Sequence, residues 1–321
     1  MMTSDSGFED DIHTPSSSQQ RLKGPGSRDP PYTMTQCHDL YSEYEEDHFI
    51  HQRNKQQDFL VLNCLSGQTQ ITAEARCVLV SWLIDLYKYF DLTFESCCLA
   101  VNIMDRFLAT TAVASDCFQL LGVTSLLIAT KYVEVHFPGI KLLLSFCCDA
   151  FTREQLCNLE SLILIKLNFR LAAPTIAYFL DHFVNWEVSR IEARMEDNIP
   201  EEGKSWMIWK DCEEQLLNFE RFKYLAFKVC EISLADYTFN RYQPSVIAQS
   251  ALNLAKDLLR EQLNESTIQN ADSTHTSTDF LGDVEKTSQS LDDPDLIQQC
   301  THELGLLASL NKELLQDIIK L

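Results

Sequence analysis

The sequence predicts an all-α protein built from two tandem helical units, and three observations lead there. No apolar–polar alternation is sustained long enough to make a strand. Nine glycines in 321 residues leave few of the tight turns a sheet protein needs. Two apolar segments, LLGVTSLLIATK at 120–131 and SVIAQSALNLAK at 245–256, carry Ser, Leu and Lys at the same offsets, each as the third helix of its unit.

Residues 1–36 are rich in Ser, Pro, Gly and Gln without hydrophobic periodicity, which predicts a disordered segment. From Cys37 a helical pattern sets Leu40, Tyr41 and Tyr44 on one face, with acids opposite. Five helices follow. Thr72 is the expected N-cap of the first, EARCVLVSWLIDLYKYF, with Glu74 in its first turn. The second covers 93–108. The third, SDCFQLLGVTSLLIATKY, is apolar or small on all sides, the mark of a helix surrounded by others. The fourth is GIKLLLSFCCDAF. The fifth opens on Thr152 and Gln155, spaced as a capping box, and runs through LCNLESLILIKLNF. LAAPT at 171–175 closes the unit, Pro174 ending one helix and beginning the next.

The second unit, 174–321, starts with TIAYFLDHFV. A charged stretch at 186–214 reads as an insertion or partly ordered helix. Helices over LLNFERFKYLAFKVCEISLAD and PSVIAQSALNLAKDLL come next. Residues 261–293 are polar and predict a long loop, before a last helix over 294–319.

Forty-seven acidic against 26 basic residues give a net charge of −21, which repels phosphate backbones and argues against nucleic acid as the principal ligand. No apolar run reaches 18 residues and the N-terminus is polar and acidic, so neither a membrane span nor a secretory signal is expected; an intracellular protein, cytoplasmic and nuclear, is. The twelve cysteines contain no C-x-x-C, and the eight histidines share no metal-ligand spacing with them. Those in ESCCLAV, SFCCDAF and KVCEISL read as buried free thiols acting as small hydrophobes. No metal and no cofactor is expected.

ARCVLVSWLIDL, AVNIMDRFL, LLGVTSLLIATKYVEV, LCNLESLILIKLNF and LAAPT follow one another in the order and spacing of the cyclin box. ISLADYTFNRYQPSVIAQSALNLA resembles the second box of the A- and B-type cyclins. The chain is thus identified as a member of the cyclin family over roughly 37–260. The resemblance implies two tandem five-helix cyclin boxes, at 37–173 and 174–321. It also implies a non-enzymatic regulatory subunit that binds and activates a cyclin-dependent kinase, in cell-cycle control or in centriole amplification during multiciliated-cell differentiation.

By residue type alone, Lys131 and Glu160 are two unrelated charges on amphipathic helices. The resemblance makes them the pair that engages the kinase backbone, with Tyr132, Glu134, Phe169 and Leu171 around them. The family often carries two acids after the lysine and aromatic; here Val133 precedes Glu134. A second surface rests on Ala75, Val78, Leu79 and Trp82, at i, i+3, i+4 and i+7. In resembling cyclins such a stripe, with counterparts of Asp85, Phe118 and Gln119, forms a shallow groove for substrate or inhibitor peptides. The same stripe also reads as the buried face of its helix. Ala75 stands where a methionine is usual and Ser81 replaces an acid, so docking is expected to be weaker or differently specific.

Two rival functions are weighed. For an enzyme, the chain lacks G-x-x-x-x-G-K, G-x-G-x-x-G, H-E-x-x-H and G-x-S-x-G. Asp105-Arg106 reads as a structural ion pair at a helix junction, and Arg76, the start of an R-x-x-L, as part of a helix. A cyclin-fold scaffold or transcription adaptor acting without a kinase would be expected to carry a basic face.

Overall fold

The computed structural model describes residues 34–197, 205–269 and 292–312. Most of the tail expected over 1–36 lies outside these residues; the first helix, α1 (Met34–Lys55), begins three positions before Cys37. The next five are α2 (Ala73–Tyr89), α3 (Phe94–Leu108), α4 (Phe118–Val133), α5 (Ile140–Ser145) and α6 (Arg153–Lys166). Then come α7 (Ile176–Asp197), α8 (Ser205–Ala235), α9 (Pro244–Gln269) and α10 (Pro294–Leu310), with no strand among the described residues.

Local chemistry sets the helix starts. Thr72 accepts from the Ala75 amide to cap α2, Thr93 accepts from Ser96 to cap α3, and Thr152 with Gln155 closes the expected capping box on α6. Each cap satisfies amides that the first turn of a helix leaves open.

Three expectations are corrected. The fourth helix stops at Ser145, because Cys148 and Asp149 adopt left-handed φ angles of 53° and 52° that end any α-helix. Pro174 does not begin α7; Thr175 accepts from the Tyr178 amide at its head. Within the charged stretch at 186–214, α7 runs to Asp197 and α8 starts at Ser205, while residues 198–204 lie outside the described residues. The polar segment at 261–293 starts as helix, since EQLNESTIQ contains neither Gly nor Pro and α9 continues to Gln269; residues 270–291 lie outside the description.

From Glu46 onward the chain forms one unit. Helix α4 lies against α2, α3, α5 and α6, and it is buried from Phe118 through Thr130 apart from Gln119. Leu126 and Leu127 are fully buried, each contributing about 1.5–3 kcal/mol by leaving water. Gly122 lets α2 come close: a Cβ there would sit 2.9 Å from Leu79 Cδ1. Helix α9 occupies the corresponding place, against α7, α8 and α10. The repeat seen in the sequence is therefore that of two central helices.

Polar groups tie the two sets of helices together. Arg76, 0% exposed on α2, donates to both carboxylate oxygens of Asp105 on α3, at 2.9 and 2.7 Å. It also donates to the carbonyls of Leu234 and Ala235 at the end of α8 and to Asn240 Oδ1. The Asn240 amide returns a hydrogen bond to Asp105 at 2.9 Å. Tyr87 donates to the buried Glu231 on α8 at 2.5 Å, and Lys88 and Lys228 both pair with that carboxylate at 2.9 Å. Gln56, 1% exposed, donates to Gln243 and Ser245 and accepts from the Ser245 amide. Phe49 stacks on His182 of α7 at 4.1 Å.

Candidate functional site: an ion pair with an apolar fringe

Lys131 closes the last turn of α4, where an ammonium favourably meets the helix's carbonyl end. Its Nζ lies 2.8 Å from Glu160 Oε1 on α6, with side chains 37% and 17% exposed. The two charges are thus partners rather than unrelated. The repeat sharpens the point. Lys256, at the matching offset in α9, is buried and pairs at 2.8 Å with the equally buried Glu187 of α7. One lysine of the repeat is structural; the other reaches solvent.

Apolar groups flank the solvent-facing pair. Tyr132 is 54% exposed and Phe169 67%, whereas Leu171 is half-buried against the core. Phe169 is held out by its backbone. After α6, Asn168 and Phe169 take left-handed φ angles of 52° and 55°, while their amides donate to the Ile165 and Leu164 carbonyls. That is a Schellman closure, in which Asn is at ease and a bulky aromatic is strained. Strain of this kind survives where the surroundings enforce it.

Sequence reasoning missed Leu162 and Ile165, which are exposed on α6 at i and i+3, together with Val135 and Phe137 beyond α4. The available signal was the apolar excess of SLILIKLNF. A helix with one buried stripe has no packing use for so many large apolar groups.

Glu134 belongs to the fold. Its Oε1 accepts from the Thr93 amide and hydroxyl, both at 2.8 Å, and from the Ser96 hydroxyl at 2.6 Å. The carboxylate therefore sits on the N-terminus of α3. Partial burial works against its charge, but these hydrogen bonds outweigh it and hold the group below the usual glutamate range. Oε1 of Glu134, a residue the resemblance places around Lys131 and Glu160, is thus engaged within the chain.

The α2 stripe divides into two. Leu79 and Phe118 are both 6% exposed and belong to the core; Ala75, Trp82 and Gln119 are half-buried; Val78, 71% exposed, and Asp85 face solvent. Leu79 and Phe118 thus fit the reading of the stripe as a packed face, and the other stripe residues keep some surface in contact with solvent. Asp105 pairs with Arg76 rather than with Arg106, whose guanidinium donates to the Arg170 carbonyl at 2.7 Å. The Leu of the R-x-x-L and its Arg are both buried, as expected of helix interior.

No group of three His, Cys, Asp or Glu among the described residues could hold a metal. No helix among them is long and apolar enough to cross a membrane. Cys64, Cys97, Cys98, Cys147, Cys230 and Cys300 are buried free thiols, while Cys77, Cys117 and Cys148 are exposed. Burial, helped by Asp105, pushes the Cys64 thiol up to about 12, which removes it as a nucleophile.

The profile of the cyclin N-terminal domain matches residues 45–172, and that of the cyclin C-terminal domain matches 209–295. The chain is 41% identical over 320 residues to Cyclin-O protein B of Xenopus laevis, covering 98% of this chain and 77% of that one. It is 42% identical over 265 residues to Cyclin-O of Homo sapiens, covering 80% and 69%. Among solved structures, a viral cyclin from Herpesvirus saimiri aligns over 80% of this chain and 96% of its own, with a TM-score of 0.50 at 20% identity, a likeness of fold.

Proposed function

The chain belongs to the cyclin family, and from that premise we propose that it is a regulatory subunit that binds and activates a cyclin-dependent serine/threonine kinase. The observation that carries this reading is the Lys131–Glu160 pair, internally satisfied yet partly open to solvent, beside exposed Tyr132 and Phe169. An interface draws most of its energy from buried aromatic anchors, while a fixed charge pair sets register. Leu162, Ile165 and Leu171 extend the apolar area.

Activation on this reading is a shift of population. A kinase transfers phosphate only when its Lys–Glu pair and its metal-binding loop are both aligned. A partner that binds the aligned state better than the misaligned one supplies the difference in free energy. This chain contributes binding surface and no reacting group. It would do so in the cytoplasm and nucleus, with boxes divided at 173/174. The setting we propose is cell-cycle control or centriole amplification in multiciliated cells, as the resemblance of the sequence implies. Val78 and Asp85, with the half-buried Ala75, Trp82 and Gln119, would meet substrate or inhibitor peptides on this reading.

Affinity isolation of the tagged full chain from differentiating cells, with identification of the bound kinase, tests the proposal. The isolated complex should phosphorylate a peptide substrate, and the pure chain alone should not. Recovery of a folded chain with no kinase would favour a scaffold that works without one.

A further inference from the structure

A concavity that shares the turn after α6 with Phe169, but contains neither Lys131 nor Glu160, has a basic lining in an otherwise acidic chain. It has a volume of about 550 Å³ and opens between the segment 60–63, the end of α3 and the turn after α6. Its charged lining is Arg106, Lys166 and Arg170, with Asn63, Thr110 and Asn168 as further polar groups. No acidic side chain lines it.

The two arginines are held close by one aromatic ring. Phe59, 4% exposed, has the Arg106 guanidinium 4.8 Å and the Arg170 guanidinium 5.1 Å from its centroid. The ring's negative face offsets part of their mutual repulsion. Of the five N–H donors a guanidinium carries, Arg106 spends one on the Arg170 carbonyl, and among the described residues it forms no ion pair. Arg170 pairs with Asp58 at 3.0 Å, but both side chains are more than half exposed, so water screens that bond and a stronger anion can displace it. Burial and the Arg170 charge lower the Arg106 pKa to about 10, which leaves it a cation at neutral pH. Two pre-oriented forks beside an ammonium, short of one anion, match the geometry in which arginines take phosphate.

We propose that this concavity binds a phosphorylated serine or threonine side chain of a partner polypeptide. The charge supports a dianion over a carboxylate, since three cations line the space and, among the described residues, the acid paired with one of them is the exposed Asp58. The volume far exceeds that of a phosphate group, and Leu62 at the rim is 52% exposed, offering an apolar contact to a residue beside the phosphate. A net charge of −21 tolerates one phosphate but opposes a polyanionic strand. Charge-changing modification of a partner would then act here through new Arg–phosphate bonds. Because the site needs no kinase, it is tested on the chain alone.

The experiment uses the purified full chain and fluorescence anisotropy with a labelled, sequence-degenerate phosphothreonine peptide library. Its unphosphorylated and glutamate-substituted counterparts, inorganic phosphate and a single-stranded oligonucleotide serve as competitors. The phosphorylated pool should bind at least about tenfold more tightly than the unphosphorylated pool, with affinity falling as salt rises. Arg170→Glu and Lys166→Glu, both exposed positions, should each remove most of that preference while leaving thermal melting unchanged. Equal binding of the phosphorylated and unphosphorylated pools would overturn the proposal, as would full preference retained in both well-folded variants. Glutamate peptides competing as well as phosphopeptides would make this an acidic-peptide site instead. Inorganic phosphate or the oligonucleotide competing equally well would replace the partner polypeptide by a free anion or a nucleic acid.

Discussion

Lys131 Nζ and Glu160 Oε1 meet at 2.8 Å across 29 residues of sequence, joining the end of α4 to the middle of α6. Each charge is thus positioned before any partner arrives, and a pair used only inside the fold can be told from one used outside it. Lys131→Glu and Glu160→Lys should each cost no more than about 1 kcal/mol in stability, because the pair is partly exposed. Each should reduce kinase capture at least roughly thirtyfold if the charges are buried in the complex. The double swap restores the internal pair and should recover melting temperature without recovering capture. Pull-down beside a melt for all three variants measures this, and capture by the double swap at the wild-type level would remove the pair from the interface.

Arg76 should behave very differently. Its guanidinium is fully buried with every donor used, so Arg76→Met strands Asp105, two carbonyls and Asn240. The loss should be about 3–5 kcal/mol, read from denaturant unfolding. Melting unchanged from the parent would contradict the network.

Glu134→Gln should destabilise by about 1 kcal/mol, since a neutral amide accepts more weakly from Thr93 and Ser96 than a carboxylate does. The sign of the pH effect follows from the lowered pKa. The unfolded state takes up the proton first, so this contribution is complete above the ordinary glutamate value of 4.5 and is lost as pH falls through the lower folded value. The variant should therefore lose less stability than the parent between pH 5 and the acid end of the melt series. A parallel decline in both would mean that the α3 N-terminus is not where Glu134 acts.

Val78 and Trp82 separate docking from packing. Val78→Asp, at a 71% exposed site, should leave stability within about 0.5 kcal/mol while weakening phosphorylation of a docking-dependent peptide. Trp82→Ala should affect both melt and docking, because Trp82 is half-buried against the core. Unaltered docking in both variants would leave the stripe as packing alone.

Thiol accessibility checks the fold without any partner. Cys77, Cys117 and Cys148 should label quickly under native conditions, while Cys64, Cys97, Cys98, Cys147, Cys230 and Cys300 should wait for unfolding. Mass-spectrometric mapping after brief labelling gives the order.

The parts legible in the sequence were those governed by period and capping. Helix α4, apolar on all sides, could only be central, and Thr72, Thr152 and Gln155 announced helix starts by short-range hydrogen bonding. Less legible was what depends on contacts distant in the chain. Nothing near Glu134 in sequence reveals Thr93 and Ser96 as its partners, and nothing near Asp105 points to Arg76 rather than the adjacent Arg106. The seat of Leu79 against Gly122 is likewise a contact distant in the chain. Ends of helices in polar sequence, such as α9 beyond Glu261, escaped because polar residues carry no apolar periodicity to read.

Arg76 also bears on how far the duplication in this chain can be undone. Two similar halves invite separation, like beads cut from a string. Here the first half lends a guanidinium to the last carbonyls of the longest helix in the second, and the second lends Asn240 to the first half's carboxylate. Each half is completed by the other. A fragment carrying one half alone inherits an unfilled vacancy where its neighbour belongs, and a swap of halves between relatives succeeds only if this joint is exchanged with them.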